Sequence, residues 1–185
     1  MRKEIEVKAW VRDPKQLFHN LKALKITLSE KITQNDETFV DDNFGDYSTL
    51  QSGKNVLRIR KNNERYIFTL KQPQKNELDC IEKETDITDP EEFRDALLLM
   101  GYKPVVKINK VRRKAKYKDY ELCVDEVESL GTYIEVEKIT DENDDSEAVQ
   151  RELFQFLESL GIDKADQEMH GYDTLIYLNS FDNLK

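Results

Sequence analysis

The sequence predicts an α+β protein centred on a closed antiparallel eight-stranded β-barrel, with helices packed outside. Three observations predict it. Five stretches carry charged side chains on every second residue, beginning with Glu4-Ile5-Glu6-Val7-Lys8 and recurring at Arg58/Arg60, Glu82/Glu84, Lys110/Arg112 and Glu135/Glu137. Residues two apart on a strand share a face, so each set points one way. Strand neighbours lie close in sequence with no repeating strand-helix-strand unit, the pattern of an antiparallel sheet. The residues that alternate with the charges, among them Ile5, Val7, Leu57, Ile59, Val111, Val124, Ile134 and Val136, need apolar cover. Closure satisfies both faces: helices cover the apolar side and the charged side lines a central tunnel.

The first strand runs from about Lys3 to Val11. Asp13-Pro14 is an N-cap and first-turn signal, and Leu17, Phe18, Leu21 and Leu24 follow at helical spacing. A short strand over Glu37 to Asp42 leads into a loop marked by Gly45 and Gly53. Val56 to Lys61 and Arg65 to Lys71 form a hairpin turned at Asn62-Asn63, because Asn tolerates positive φ. Beyond Pro73, Asp79 to Ile87 is a strand. Thr88-Asp89-Pro90-Glu91-Glu92 starts a second helix with Phe93, Ala96, Leu97 and Met100 as its buried stripe and Gly101 as its stop. Val105 to Ala115, Asp119 to Val127 and Thr132 to Ile139 form a meander, its last turn at Ser129-Leu130-Gly131. An acidic run from Asp141 to Glu147 precedes a third helix with Val149, Leu153, Phe156, Leu157 and Leu160 on one face, ending at Gly161. The tail from Gln167 to Phe181 is mixed, and Leu175 to Leu178 reads equally as strand or helix.

With 185 residues, 36% charged and 38% hydrophobic, the chain suits one domain over residues 1–185 with a sizeable core. A net charge of −9 opposes nonspecific binding of nucleic acid or acidic membrane, so an anionic ligand must be caught locally. No stretch approaches the ~18 apolar residues of a membrane span. Cys80 and Cys123 are isolated thiols without metal-binding spacing, and Met1-Arg2-Lys3 runs straight into a strand pattern. A cytoplasmic protein with reduced thiols is the expectation.

The inward candidates are seven acids (Glu4, Glu6, Glu82, Glu84, Asp125, Glu135 and Glu137) and six bases (Lys8, Arg58, Arg60, Lys71, Lys110 and Arg112). Burying an ion dry costs several kcal/mol even after relaxation, so such a set predicts a wet, liganded interior. Lys and Arg from several strands suit a polyphosphate, with Arg able to grip two oxygens at once. Carboxylates alone would repel it, and become useful by holding a hard divalent cation, Mg²⁺ or Mn²⁺. A single Glu-x-Glu-x-Lys occurs equally on a solvated strand; the recurrence of the pattern on strand after strand favours a site.

Glu4-x-Glu6-x-Lys8 resembles the opening signature of the CYTH superfamily, the triphosphate tunnel metalloenzymes. Leu57-Arg58-Ile59-Arg60, Thr69-Leu70-Lys71, Lys110-Val111-Arg112, the run from Val124 through Gly131 to Glu137, and Gly171-Tyr172-Asp173-Thr174-Leu175-Ile176 are similar to its later blocks, in order. The spacing through Met100-Gly101-Tyr102-Lys103-Pro104 to Asp125 is most similar to the class IV (CyaB-type) adenylate cyclases. The resemblance implies attack of the ATP ribose 3′-hydroxyl on the α-phosphorus, giving cyclic AMP and pyrophosphate, with Mg²⁺ or Mn²⁺ required. It implies Glu4, Glu6, Glu135 and Glu137 as metal ligands, with Glu84 as an additional acid. Lys8, Arg58, Arg60, Lys71, Lys110 and Arg112 would bind phosphate, and Asp125, Lys71 and Lys110 would serve catalysis. It also implies a nucleoside triphosphate or inorganic polyphosphate as partner, and leaves a homodimer open.

Two alternatives stand beside the cyclase: hydrolysis of inorganic or thiamine triphosphate, and a non-catalytic sensor of nucleotide or polyphosphate. Thiamine triphosphatases are similar around Glu37-Thr38-Phe39-Val40-Asp41 but place Tyr at position 39, where the phenol works with a lysine matching Lys71. Phe39 tilts against that activity. Ala115 stands where cyclase relatives often carry Tyr. His19, His170 and Trp10 read as surface or packing residues, and the basic run from Lys107 to Lys118 divides between exterior and tunnel.

Overall fold

A computed structural model describes residues 2–141 and 143–182. Within the predicted acidic run at 141–147, Glu142 lies outside the described residues, as do Met1 and residues 183–185 of the predicted domain. The strands are β1 (Arg2–Trp10), β2 (Ile32–Asp41), β3 (Val56–Asn62), β4 (Arg65–Pro73), β5 (Asp79–Ile87), β6 (Tyr102–Tyr117), β7 (Tyr120–Val127), β8 (Gly131–Asp141) and β9 (Gln167–Glu168). The helices are α1 (Pro14–Ala23), α2 (Pro90–Leu99), α3 (Ser146–Ser159) and α4 (Tyr172–Asp182). Strand order is β5-β4-β3-β2-β6-β7-β8-β1-β9, with β5 also paired to β1. That is the hydrogen-bond connectivity of a closed antiparallel barrel of eight strands, with the two-residue β9 as an addition.

The chain divides into two compact units, Met1–Ile32 with Val111–Met169, and Thr33–Lys110 with His170–Lys185. In the first, β1, β8 and β7 send Ile5, Val7, Ala9, Ile134, Val136, Leu122 and Val124 to one side, where they pack with Leu17 and Leu21 of α1 and Leu153, Phe154 and Leu157 of α3. In the second, Phe39, Leu57 and Ile59 cluster with Leu97 of α2, and Phe68, Leu70 and Phe93 pack around them. The strands of each unit thus turn their apolar face to their own helices and leave the charged positions on the opposite face.

Local chemistry sets the helix ends. Asp13 accepts from the backbone N–H of Lys15 and Gln16, Asp89 from Glu92, and Asp145 from Glu147 and Ala148. Lys3 Nζ donates to Ser146 Oγ at 2.7 Å, fastening the start of α3 to β1. Gly161 ends that helix at φ +83°, and a Cβ there would meet Asn20 Nδ2 at 3.0 Å. Asn20 Nδ2 already donates to the Leu160 carbonyl at 2.8 Å, so the position combines a left-handed turn with a close approach.

Several predicted boundaries move. β2 begins at Ile32 rather than Glu37, because Gln34, Asp36 and Thr38 are the buried side of its first half and polar alternation hid the strand. The β3–β4 turn is centred on Asn63 and Glu64: Asn62 still pairs with Arg65, and Asn63 takes φ +52°. On α2 only Leu97 is buried, while Ala96 faces solvent and Met100 is 63% exposed, since consecutive apolar residues at 97–100 cannot share one face of a helix. On α3 Phe154 takes a core place, and Phe156 stacks on Tyr117 with ring centroids 5.1 Å apart. The tail resolves as a helix from Tyr172. Among the described residues, no helix is long and apolar enough to cross a membrane.

Candidate functional site

The mixed charges predicted for one face are sorted by unit. The first unit holds Glu4, Glu6, Glu135, Glu137 and Asp125 with Lys8 and Arg112; the second holds Arg58, Arg60, Lys71 and Lys110 with Glu82 and Glu84.

In the first unit the antiparallel register aligns Glu6, Glu137 and Glu121 in one row across β1, β8 and β7, and Lys8, Glu135 and Cys123 in the next. Glu4 is two residues from Glu6 on the same face. Carboxylate oxygens of Glu4, Glu6 and Glu137, one from each, lie within 4.8 Å of one another. The Glu137 carboxyl is pushed up to about 8 by burial and by the charges of Glu6, Glu121 and Glu135, against the pull of Arg112. Three oxygen donors that repel each other when ionised fit a hard divalent cation, which would relieve that repulsion.

Glu135, the fourth acid expected among the metal ligands, is engaged differently. Its Oε1 lies 3.4 Å from Lys8 Nζ, and its Oε2 accepts from Arg112 Nη2. Lys8 Nζ is also 3.7 Å from Glu6, so Lys8 links Glu135 to the carboxylate group. Arg112 grips Asp125 with both arms of its fork, Nε to Oδ1 at 2.7 Å and Nη2 to Oδ2 at 2.5 Å. Burial opposes the Arg112 charge, but Asp125 and Glu135 outweigh it and hold the guanidinium protonated. Lys114 pairs with Glu121 at the edge of this group.

In the second unit the register places Thr38, Arg58, Thr69 and Glu84 in one row, Asp36 and Arg60 in the next, and Lys71 opposite Glu82. Arg58 Nη2 donates to Thr69 Oγ1 at 3.1 Å and reaches Glu84 Oε1 at 3.5 Å, and the Thr69 hydroxyl donates to the same Glu84 oxygen at 2.9 Å. Glu84, predicted as an additional acid, therefore stands beside Arg58 with its side chain half exposed. Burial raises the Glu82 carboxyl, but Lys71, with Arg58 and Arg60, brings it below its ordinary value. Lys110 Nζ sits 4.6 Å from the centroid of the Tyr172 ring at the start of α4, a cation-π contact.

Asp36 is a site residue that sequence reading missed. It pairs with Arg60 through two hydrogen bonds of 2.8 and 2.7 Å and is buried. The period-2 polar run Gln34-Asp36-Thr38 was the available signal, but only the register with β3 shows its meaning.

Phe39 needs a correction. It occupies the row of Leu57 and Leu70, in the apolar cluster under α2, whereas Lys71 pairs with Val56 on the opposite face. A phenol at position 39 would point away from Lys71, so Phe39 does not weigh against thiamine triphosphatase activity. Ala115 likewise faces the apolar cluster of the first unit.

The CYTH domain profile matches residues 2–172. The chain belongs to the CYTH domain family. A Methanocaldococcus jannaschii protein named "Putative adenylate cyclase" is 29% identical over 165 residues, spanning 87% of this chain and 91% of that one. A solved Pyrococcus horikoshii structure superposes with TM-score 0.79 at 26% identity, covering 95% of this CYTH chain and 99% of its own. A Hippeastrum structure named "Putative adenylyl cyclase", with a dominant triphosphatase activity, gives TM-score 0.60 at 22% identity, covering 92% and 91%.

Proposed function

We propose that residues 1–185 act as one domain, a metal-dependent enzyme that cleaves a triphosphate, with conversion of ATP to cyclic AMP and pyrophosphate as its reaction. The observation that carries this reading is the separation of charge: carboxylates converge at Glu4, Glu6 and Glu137, and cationic side chains at Arg58, Arg60, Lys71 and Lys110. A pure anion binder gains nothing from three carboxylates within 4.8 Å of one another. Glu4, Glu6 and Glu137 would hold Mg²⁺ or Mn²⁺, which supplies charge neutralisation at phosphate oxygens.

The chain's own residues divide the remaining work. Arg58 grips phosphate oxygens as a fork, Arg60 offers the N–H groups that Asp36 leaves over, and Lys71 and Lys110 act as point charges on the leaving pyrophosphate. Lys8 and Arg112 fix Glu135 from two sides. Asp125 is committed to Arg112 through both oxygens, which suits orienting that guanidinium. In the cyclase reaction the 3′-oxygen bonds to the α-phosphorus as the bond to the bridging oxygen of pyrophosphate breaks, and the hydroxyl proton passes to water or to the departing pyrophosphate.

The second reading is hydrolysis, with water in place of the ribose hydroxyl. The position of Phe39 in the apolar cluster removes the sequence argument against thiamine triphosphate as its substrate. Incubation with Mn²⁺ and either ATP or tripolyphosphate, resolving cyclic AMP, pyrophosphate and orthophosphate, tests both. Cyclic AMP with equimolar pyrophosphate supports the cyclase, orthophosphate from either substrate supports hydrolysis, and tight binding without product leaves only a sensor.

A further inference from the structure

Asp36 and Arg60 face each other across β2 and β3. Arg60 Nε donates to Asp36 Oδ1 at 2.8 Å and Nη2 to Oδ2 at 2.7 Å, and the two residues are 8% and 4% exposed. Such buried pairs can often be replaced by apolar residues of similar volume without loss of stability, so stability alone does not explain an ion pair here. What the grip leaves over does. A guanidinium carries five N–H donors in one fixed plane. Asp36 takes the Nε and Nη2 edge, which fixes that plane and leaves the donors of Nη1 beyond the grip.

The surroundings show why a fixed plane matters. Arg58 shares strand and face with Arg60, yet it is held by a hydroxyl at 3.1 Å and a half-exposed carboxylate at 3.5 Å. The Arg60 fork is fixed by two short bonds to one buried carboxylate. Burial alone would raise the Asp36 carboxyl, but Arg60, with Arg58 and Lys110, draws it well below the usual carboxylate range. The four cations Arg58, Arg60, Lys71 and Lys110 outnumber Asp36, Glu82 and Glu84, which leaves positive charge for an anion while Asp36 sets the direction of one donor group.

We propose that Asp36 is a positioning residue for triphosphate binding: it holds the Arg60 guanidinium in one orientation, so that the remaining N–H groups meet phosphate oxygens without a rotamer search. This rests on the triphosphate reading above. A preorganised fork loses less freedom on binding than a mobile one, so the effect belongs in affinity and KM more than in kcat.

The test is tripolyphosphate affinity, by calorimetry with Mg²⁺ present, for the full chain and for Asp36→Asn, Arg60→Ala and the double variant. Asp36→Asn is expected to weaken binding about 10-fold, Arg60→Ala at least as much, and the double variant no more than Arg60→Ala alone. A folded Asp36→Asn with unchanged affinity, or losses that multiply in the double variant, overturns the proposal. If Asp36→Asn does not fold, Arg60→Gln and Asp36→Asn/Arg60→Gln carry the comparison, the single variant leaving the Asp36 charge without its partner and the double removing both: affinity in the double no weaker than in the single supports it, and a further several-fold loss in the double overturns it. Unaltered chain that binds no triphosphate overturns the functional reading and this proposal together. Unaltered chain that binds while Asp36→Asn binds equally well overturns the positioning role only.

Discussion

Glu6 on β1 and Glu137 on β8 stand directly opposite each other in an antiparallel pair, and the Glu137 carboxyl is pushed up to about 8. Unfolded, that carboxyl releases its proton near the ordinary 4.5; folded and metal-free, it keeps it to about 8. The folded state therefore binds the extra proton in this window, and its stability falls as pH rises from about 4.5 through about 8. Melting temperatures in EDTA from pH 5 to 9 are expected to decline more steeply for the unaltered chain than for Glu137→Gln. Mn²⁺ is expected to protect more strongly at the alkaline end, where it no longer competes with the proton. Equal slopes in the two proteins would remove Glu137 from the carboxylate group.

The contrast between Glu6 and Glu135 gives a second expectation. Glu6 belongs to the converging carboxylates, so Glu6→Gln should raise the Mn²⁺ concentration for half-maximal activity about 10-fold or more. Glu135 is fastened to Lys8 and Arg112, so Glu135→Gln should mainly cost stability, on the order of 3 kcal/mol, because two buried cations lose a partner. Urea denaturation beside metal titration separates the effects, and a large metal shift in Glu135→Gln would make it a ligand after all.

Arg58 is expected to act on substrate rather than on metal. Arg58→Ala should raise KM for the triphosphate by about 10-fold or more and leave the Mn²⁺ midpoint within about 3-fold. Steady-state kinetics at saturating and limiting metal reads both numbers. A change confined to the metal midpoint would reverse the division of labour between the two charge groups.

The periodicity of two made the charged face legible: Glu4/Glu6/Lys8, Arg58/Arg60 and Glu135/Glu137 needed no partner to reveal their side. The Asp-Pro signals at Asp13 and Asp89 were equally local, and both are N-caps. Asp36 was not legible, because its burial depends on Arg60 arriving opposite it from 24 residues away, and a polar run without that partner reads as a loop. The division of acids and bases between units was hidden for the same reason, since register and pairing decide it. Phe39 misled because a residue type was matched without its facing direction. Helix α4 gave no clear period, having apolar residues on several sides.

The core supporting the acidic group makes its own prediction. Leu157 of α3 is fully buried against the strands that carry Glu4, Glu6 and Glu137. Leu157→Ala is expected to cost about 2–5 kcal/mol in chemical denaturation, the usual range for a large-to-small change in a packed core. A cost below about 1 kcal/mol would mean that α3 is not a cover for this sheet.

Glu4, Glu6 and Glu137 are proposed to hold the divalent cation that acts with a bound triphosphate. Titrating Mn²⁺ into metal-free protein by electron paramagnetic resonance, with and without tripolyphosphate, tests it most directly. One site is expected, tightened by tripolyphosphate and weakened about 10-fold or more in Glu4→Gln and Glu6→Gln. Mn²⁺ binding that is unchanged in both variants, or indifferent to tripolyphosphate, would contradict it.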